Sequence, residues 1–268
     1  MFTITSVAAS HVGKVRDNNE DNYFINGKIP DPNTTDMVFT ADESKGGLYA
    51  VCDGMGGEEC GEVASEIAVN TLHKFYRRML EQGIAFDKLI DSYIDEANTQ
   101  ICDEIEKSDG KRMGTTFAVL YIKNEIAHVY NIGDSRVYLL RNNLLSQLSC
   151  DHTQIKRLID MGILTAEKAK THPERHMLTQ HLGIFPDEMV LEPFVANPLT
   201  VEDNDMFLLC SDGLTDMLED KAIEEIMRDS SDPQKATKKL IDAALQNGGK
   251  DNVTVIVVEA ERKDFGSI

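Results

Sequence analysis

Eight short apolar runs, each rich in β-branched and aromatic residues, constrain what this chain can fold into. Runs of this length and composition are typical of β-strands. They span residues 3–8, 22–26, 48–52, 115–122, 126–132, 136–140, 206–210 and 253–258. Lys123-Asn124 lies between the fourth and fifth runs, and Asn142-Asn143 follows the sixth. Because tight turns join antiparallel neighbours, whereas parallel strands need long crossovers, the pattern favours antiparallel sheets.

Long amphipathic segments accompany these runs. Apolar residues recur at helical spacing over residues 62–79 and again over residues 86–105. Near the end of the chain, Asp232 is placed to cap a helix that begins at Pro233 and stops at Gly248-Gly249. Two long helices in succession, followed by a series of strands, are not the order of repeating βαβ units. We therefore predict an α+β fold with helices packed on antiparallel sheets.

The organisation of the chain indicates one domain over residues 1–268, because no Pro/Gly/Ser-rich linker and no internal repeat divides it. The polar segment 30–47 is predicted to form a loop. We find neither a run of 18 apolar residues nor a basic-then-apolar N-terminus. The sequence therefore predicts no membrane span, no secretory signal and a cytoplasmic location.

The charge and the cysteines exclude several classes of protein. There are 46 acidic and 27 basic residues, a net charge of −19, with no basic cluster of the kind that binds nucleic acid. The five cysteines contain no Cys-x-x-Cys pair, so neither a disulfide framework nor a structural zinc site is expected. Most of the acidity is that of a solvated surface, but composition does not exclude a few carboxylates that converge on cations.

Five aspartates lie at the ends of predicted strands. Asp21 and Asp251 precede strands, whereas Asp53, Asp134 and Asp212 follow them, and glycine adjoins the last three. A single Asp-Gly pair is typical of a turn, but turns do not easily explain several such residues at strand ends. Carboxylates that converge raise one another's pKa, and a hard cation such as Mg²⁺ or Mn²⁺ relieves this.

Six motifs follow one another along nearly the whole chain. They are residues 13–21 (GKVRDNNED), 53–57 (DGMGG), 114–116 (GTT), 131–136 (NIGDSR), 209–214 (LCSDGL) and 251–254 (DNVT). In kind and order they resemble the metal-dependent protein phosphatases of the type 2C serine/threonine group. The glycine pair after Met55 and the compact length resemble the bacterial branch. The resemblance implies two packed antiparallel sheets flanked by helices, a four-layer αββα sandwich.

The resemblance also implies two metal ions, Mn²⁺ or Mg²⁺, about 4 Å apart with a water molecule between them. Asp53 is expected to bridge both ions, and the carbonyl group of Gly54 to complete one shell. The first ion would be held by Asp212 and Asp251, and the second ion or its waters would be reached by Asp21 and Glu20. Bacterial members can take a third ion, whose ligands here would be Asp134 and Asp212.

Substrate contacts are implied in the same way. Arg16 is expected to clamp the phosphate group, because a guanidinium group presents paired donors to its oxygens. Residues 150–183 resemble a flap subdomain beside the active site, where His172 and Arg175 are expected to shape substrate access. This segment holds four of the seven histidines: His152, His172, His176 and His181. Their spacing matches no common metal template, although a metal cluster there stays open.

The implied activity is hydrolysis of phosphoserine and phosphothreonine in other proteins, by a monomer that reverses a bacterial serine/threonine kinase. Two alternatives stay open: an inactive phosphatase-like scaffold, and a phosphatase of small phosphorylated molecules. No Cys-x₅-Arg loop, no Asp-x-Asp at Asp53 and no nucleotide-binding phosphate loop are present. Some relatives have a histidine, assigned as the general acid, where this chain has Met55, so the acid is left unassigned.

Overall fold

The strands set the frame of the structure, a computed structural model that describes residues 2–34, 37–42, 46–56, 60–108, 111–169 and 171–262. Those in this part of the chain are β1 (Phe2–His11), β2 (Asp21–Ile25), β3 (Val38–Asp42), β4 (Gly46–Gly56), β5 (Met113–Thr115), β6 (Phe117–Lys123), β7 (Ile126–Ile132), β8 (Arg136–Arg141), β9 (Leu144–Gln147), β10 (Phe194–Val195), β11 (Leu199–Thr200), β12 (Asp205–Cys210) and β13 (Val253–Arg262).

The helices lie mostly between β4 and β5 and between β12 and β13. They are α1 (Gly61–Gln82), α2 (Ile90–Lys107), α3 (Gln154–Asp160), α4 (Ala166–Ala169), α5 (Asp212–Thr215), α6 (Asp220–Arg228) and α7 (Pro233–Gln246). A short 3₁₀ turn, Phe86–Lys88, precedes α2. The two shortest, α4 and α5, line one pocket together with Asp134.

The described strands form two antiparallel sheets. Sheet A has the order β3-β1-β13-β12-β8-β9, and sheet B has the order β10-β7-β6-β4-β2, with β11 paired to β7 and β5 paired to β4. Strands β4 and β13 are interior strands, and each is paired with neighbours on both sides. Central pairing holds the ends of these strands in fixed positions.

Three apolar cores show that the layers are stacked as helix, sheet, sheet and helix. Residues of α1 and α2 pack against one face of sheet B, and residues of α6 and α7 pack against one face of sheet A. The third core lies between the sheets. Alternation along β4 divides its side chains between two of the cores, because successive residues of a strand point to opposite faces: Leu48 faces the helices, whereas Tyr49 and Val51 face sheet A.

The predicted fold class is confirmed. Each of the eight predicted runs overlaps a strand, and the run 115–122 is divided between β5 and β6. The predicted helix over residues 62–79 is α1, and the one over residues 86–105 consists of the 3₁₀ turn and α2. Asp232 caps α7, since its side chain accepts a hydrogen bond from the backbone N–H group of Lys235.

The predicted loop over residues 30–47 is wrong in part. Val38–Asp42 forms β3, an edge strand paired with β1, and β4 already begins at Gly46. Only one edge of β3 is paired, and Phe39 in this strand is 45% exposed. Because the strand is only partly buried, the segment carries no continuous apolar run. Residues 35, 36 and 43–45 of this segment, and Gly57 of the second motif, lie outside the described residues.

Of the helices in the described ranges, none combines the length and the apolar character that crossing a bilayer requires.

Glu259 is a carboxylate in the middle of sheet A, remote from the predicted site. It lies in β13, with Thr5 of β1 on one side and Met206 of β12 on the other. Partial burial raises the pKa of Glu259 to about 7, and the charges of Glu261 and Asp232 add to this. The folded protein therefore keeps this proton over a pH range in which the unfolded chain has lost it.

We expect Glu259→Gln to stabilise the protein above pH 7 and to leave its stability unchanged below pH 4. Because folding raises the pKa of this carboxyl group, stability falls as pH rises from the ordinary glutamate value to about 7. Glutamine carries no charge to desolvate. Urea unfolding at pH 4 and pH 8 measures the difference, with Glu66→Gln on the exposed face of α1 as the control. A stabilisation that is equal at both pH values would contradict this explanation.

Candidate metal centre and active site

Two of the predicted ligands lie opposite each other on neighbouring strands. Asp21 at the start of β2 pairs with Asp53 near the end of β4. Further along the same pair of strands, Tyr23 faces Val51, and both side chains lie in the core between the sheets. Because side chains alternate along a strand, Asp21 and Asp53 point to that same side, at the end of the sandwich.

The carboxylate of Asp21 joins the two sheets. Its Oδ2 atom accepts a hydrogen bond from Ser211 Oγ, just after β12, and another from Thr254 Oγ1 in β13, both at 2.7 Å. Asp21 is fully buried, and among the described residues no hydrogen-bond donor reaches its Oδ1 atom. A buried carboxylate oxygen without a partner carries a large desolvation cost, which a bound cation would remove.

The five aspartates act on one another electrostatically. Burial raises the pKa of Asp21 to about 7, although its two hydroxyl partners lower it, and the charges of Asp212 and Asp251 raise it further. The pKa of Asp53 lies well above its ordinary value because of burial and the charges of Asp21, Asp212, Asp134 and Asp251. Burial and the charge of Asp212 do the same to Asp134. The structure therefore brings together all five aspartates that the sequence predicted.

Gly54 and Glu20 lie against each other at the edge of this cluster. The N–H group of Gly54 donates to the carbonyl oxygen of Glu20 at 3.1 Å. A Cβ atom on Gly54 would lie 2.5 Å from that oxygen and would also collide with the carbonyl oxygen of Gly61. Only glycine permits so close an approach of three backbone segments. The backbone of Glu20 is fixed further by Ser65 and Asn252, at 2.6 and 2.8 Å.

The third motif, residues 114–116, holds the backbone of Asp53. Thr116 Oγ1 accepts from the N–H group of Asp53, and Thr115 Oγ1 donates to its carbonyl oxygen, both at 2.9 Å. The N–H group of Thr116 donates to the same carbonyl oxygen at 2.9 Å. These three bonds fix the position of Asp53 at the end of its strand.

Arg16 lies at the rim of the cluster and reaches Asp251. Its Nη2 atom is 2.8 Å from Asp251 Oδ2, and the two side chains are 54% and 34% exposed. The guanidinium group is thus held beside the carboxylates while much of it faces solvent. An exposed guanidinium group in this place can donate to an anionic group that approaches from outside.

One part of the flap touches the carboxylates. Arg175 Nη2 lies 3.2 Å from Asp216 Oδ2, and the ring of His176 lies 3.3 Å from Asp216 and 3.6 Å from Asp212. His172 instead closes a turn within the flap, where its Nδ1 atom accepts from the N–H group of Glu174. Of the two predicted flap residues, Arg175 therefore reaches the cluster, whereas the bonds of His172 are local.

The four flap histidines bond to different parts of the chain. His152 contacts Gly133, and the Nδ1 atom of His181 lies 2.9 Å from the carbonyl oxygen of Leu182. In the described residues, the one group of three or more acidic, histidine or cysteine side chains whose ligand atoms lie within 4.8 Å of one another is His176, Asp212 and Asp216. Among the described residues, which include all four flap histidines, His176 alone joins this group, so the histidine cluster that the sequence left open is not found there.

The donor set fits hard divalent cations. Carboxylate and carbonyl oxygens are the ligands that Mg²⁺ and Mn²⁺ take in proteins. Among the described residues Asp21 Oδ1 has no partner, and the pKa values of Asp21 and Asp53 are raised. Both features are expected of carboxylates at a cation-binding site. Of the predicted ligands, Asp212 alone belongs to the group within 4.8 Å in the described part of the chain.

Several contributing residues were not singled out from the sequence. Ser211 and Thr254 belong to quoted motifs, but their bonds to Asp21 connect positions 190 and 233 residues apart. Asp216 lies four residues after Asp212 on the same turn of chain, a spacing that places side chains on one helix face. That spacing is a signal that could have identified Asp216. His176 has no such signal, because its approach depends on how the flap folds.

Comparison with protein families gives a match to a family model over most of the chain. Residues 31–247 match the model described as protein phosphatase 2C. The serine/threonine protein phosphatase PstP of Mycobacterium tuberculosis is 34% identical over 261 residues, which is 97% of this chain but 45% of that protein. The serine/threonine phosphatase Stp of Listeria welshimeri is 33% identical over 250 residues, 92% of each chain. The chain thus spans about half of PstP and nearly all of Stp.

Solved structures agree with these sequence matches. The crystal structure of the Mycobacterium tuberculosis phosphatase PstP superposes with a TM-score of 0.80 at 31% identity, covering 97% of this chain and 100% of that one. The PstP catalytic domain in complex with two manganese ions superposes with a TM-score of 0.78 at 29% identity, covering 98% and 100%. The similarity therefore includes a protein that binds two divalent cations.

We expect Thr254→Val to weaken Mn²⁺ binding by about 10- to 100-fold, the range for residues that orient metal ligands. Valine keeps the shape of threonine but removes one of the two hydroxyl groups that hold Asp21. Isothermal titration calorimetry measures the affinity. The matched control is Thr237→Val in α7, which removes a buried hydroxyl group bonded to the carbonyl oxygen of Val7 in β1, away from the site. Equal affinities in the two variants would show that Thr254 does not orient Asp21.

Proposed function

The chain belongs to the protein phosphatase 2C family, and we propose that it hydrolyses phosphoserine and phosphothreonine in other proteins with the aid of two divalent cations. The observation that carries the proposal is the convergence of five aspartates on one end of the sandwich, with Asp21 Oδ1 buried and unpartnered among the described residues. Such a site stores unfavourable charge unless cations bind to it. Hydrolysis adds water across the phosphorus–oxygen bond and yields inorganic phosphate and a free hydroxyl group.

Mn²⁺ or Mg²⁺ would be held by the residues that the motifs nominate. In this proposal Asp53 contributes to both ions, with the carbonyl group of Gly54 beside it, and Asp212 and Asp251 hold the first ion. Asp21 and Glu20 serve the second ion or its waters. When bound, the ions supply Lewis acidity and lower the pKa of water at the site. The hydrogen bonds of Asp21 and Asp53 support these roles, because they fix the side chain of Asp21 and the backbone of Asp53 before a cation arrives.

Arg16 is proposed to bind the phosphate group of the substrate. Its half-exposed guanidinium group stands beside Asp251, at the boundary between the carboxylates and solvent. A guanidinium group can give two parallel hydrogen bonds to phosphate oxygens and neutralises part of their charge. Arg16 would therefore orient the phosphate group toward the five aspartates.

We further propose that the whole of residues 1–268 forms one phosphatase domain, with a flap at about 150–183. A third ion held by Asp134 and Asp212 is part of the same proposal. The contacts of Arg175 with Asp216 support a flap that borders the substrate's path. For His172 the support is weaker, because its bonds are made within the flap.

The substrate class proposed is a phosphorylated protein. The relatives that share most of this chain are named serine/threonine phosphatases, which favours a phosphoprotein over a small phosphorylated molecule. A serine/threonine kinase as the counterpart, a monomeric state and a cytoplasmic location remain predictions of the sequence.

The proposed function is tested by phosphate release from a phosphothreonine peptide. We expect release with Mn²⁺, none with EDTA, and much slower release from a sugar phosphate. Asp212→Asn, which replaces a proposed ligand without changing its size, controls for contaminating phosphatase and should be inactive. If the folded wild-type protein binds Mn²⁺ but releases no phosphate, the proposed activity is wrong and the scaffold alternative replaces it. Faster turnover of the sugar phosphate would instead overturn the proposed substrate class.

We expect Arg16→Ala to raise KM for the phosphopeptide about 30-fold, corresponding to about 2 kcal/mol for hydrogen bonds to a charged group. The KM of Arg16→Lys should fall between those of the wild-type protein and Arg16→Ala, because lysine keeps the charge but lacks the paired donors. Mn²⁺ affinity should not fall in either variant, since removing Arg16 frees Asp251 Oδ2 from an ion pair. Steady-state kinetics and calorimetry measure both quantities. A collapse of Mn²⁺ affinity in Arg16→Ala would assign Arg16 a structural role instead.

A further inference from the structure

The turn that carries Asp134 has an unusual backbone. Gly133 follows β7 directly and has a φ angle of +97°, in the region that favours glycine. A Cβ atom at Gly133 would lie 2.7 Å from Thr116 Cγ2, so the turn is pressed against the segment that holds Asp53. The direction in which Asp134 points therefore depends on what fixes the peptide groups of Gly133.

His152 binds both sides of Gly133. The N–H group of Gly133 donates to His152 Nδ1 at 3.2 Å, and the N–H group of His152 donates to the carbonyl oxygen of Gly133 at 2.9 Å. Since Nδ1 accepts here, the ring proton belongs on Nε2. Burial lowers the pKa of His152 below its ordinary value, although the charge of Asp151 opposes this. The ring is thus suited to act as a neutral acceptor.

The same residue lies where the flap meets the sandwich. The carbonyl oxygen of His152 accepts from the N–H group of Thr179 at 2.7 Å, and the N–H group of Gln154 donates to the carbonyl oxygen of Met177 at 2.9 Å. These bonds tie the two ends of the flap to each other. His152 therefore connects the base of the flap with the turn that carries Asp134.

A second side chain shares the backbone support but does not replace the ring. Asn131 is buried and donates through Nδ2 to the carbonyl oxygens of Gly133 and Cys150, at 3.2 and 2.7 Å. It also accepts from the N–H group of Cys150 at 3.0 Å. Of the two backbone groups of Gly133, Asn131 bonds to the carbonyl oxygen, whereas the N–H group bonds to the ring of His152. Loss of that acceptor would leave a half-satisfied turn.

We propose that His152 is a positioning residue, which fixes the turn at Gly133 through its Nδ1 atom and so sets the affinity for the cation that Asp134 holds. This rests on the proposed function, because Asp134 is a metal ligand only within it. Residues that orient metal ligands typically change affinity by about 10- to 100-fold when they are replaced. The effect of His152 should be confined to the ion that depends on Asp134.

The test compares three substitutions at one position in the full chain. His152→Leu keeps the bulk but removes the acceptor, His152→Asn offers an oxygen at the position of Nδ1, and His152→Gln moves that oxygen one bond further out. Calorimetric titration with MnCl₂ counts the ions and gives their affinities, and Asp134→Asn identifies the ion that Asp134 holds. The control is His128→Leu, a half-buried histidine of β7 whose ring lies beside Tyr121.

We expect His152→Leu and His152→Gln to lower the affinity for the ion that Asp134→Asn removes at least 10-fold. His152→Asn should keep most of the wild-type affinity for that ion. Thermal melting in EDTA checks that the variants fold. Wild-type affinities in His152→Leu would overturn the inference, as would equal losses in His152→Leu and His152→Asn, since bulk rather than the acceptor would then matter. A wild-type protein without any ion that depends on Asp134 would also overturn it. Because binding is measured directly, failure of phosphate release would refute the proposed function alone.

Discussion

The structure of this site depends on one buried carboxylate that joins the two sheets. Asp21 begins a strand of sheet B, and its Oδ2 atom is held by Ser211 and Thr254 of sheet A. Two hydroxyl donors satisfy one oxygen and leave the other without a partner among the described residues. Burial of this kind is unfavourable for a charged group unless a cation or a proton compensates it. The end of the sandwich is therefore built to be completed by positive charge, and its geometry is fixed before that charge binds.

The cost of such a site is offset by the layers around it. Asp53 extends from β4, whose side chains lie in the core under α1 and α2 on one face and in the core between the sheets on the other. Because both faces of this strand are packed, repulsion between Asp21 and Asp53 cannot be relieved by moving the strand. The raised pKa values of these carboxyl groups reflect burial first, and then the repulsion between the aspartates that remains. Because the frame holds the carboxylates close together, binding of a cation would relieve their repulsion, which favours cation binding.

The sequence predicted the parts of the fold and site that depend on local patterns. Strands with continuous apolar runs were found because both of their faces are buried, whereas β3, β10 and β11 were missed because they are short or lie at an edge. The aspartates were found because each adjoins such a run. The family resemblance, confirmed by the match over residues 31–247, supplied the four-layer arrangement and the proposed roles. Contacts such as His176 with Asp216 could not be predicted, since they depend on how the flap packs on the sandwich.

The proposed cation ligands and the proposed substrate-binding residues of the site differ in how firmly they are held. Groups proposed as cation ligands extend from the ends of packed strands, and their backbones are fixed by hydroxyl and amide partners. Groups proposed to meet substrate, Arg16 and Arg175, are partly exposed and reach the cluster through ion pairs with Asp251 and Asp216. Ion pairs of partly exposed side chains are weak and can exchange partners at little cost. Under the proposed function, the cations would keep one geometry while only the exposed side chains adjust to substrates of different shapes.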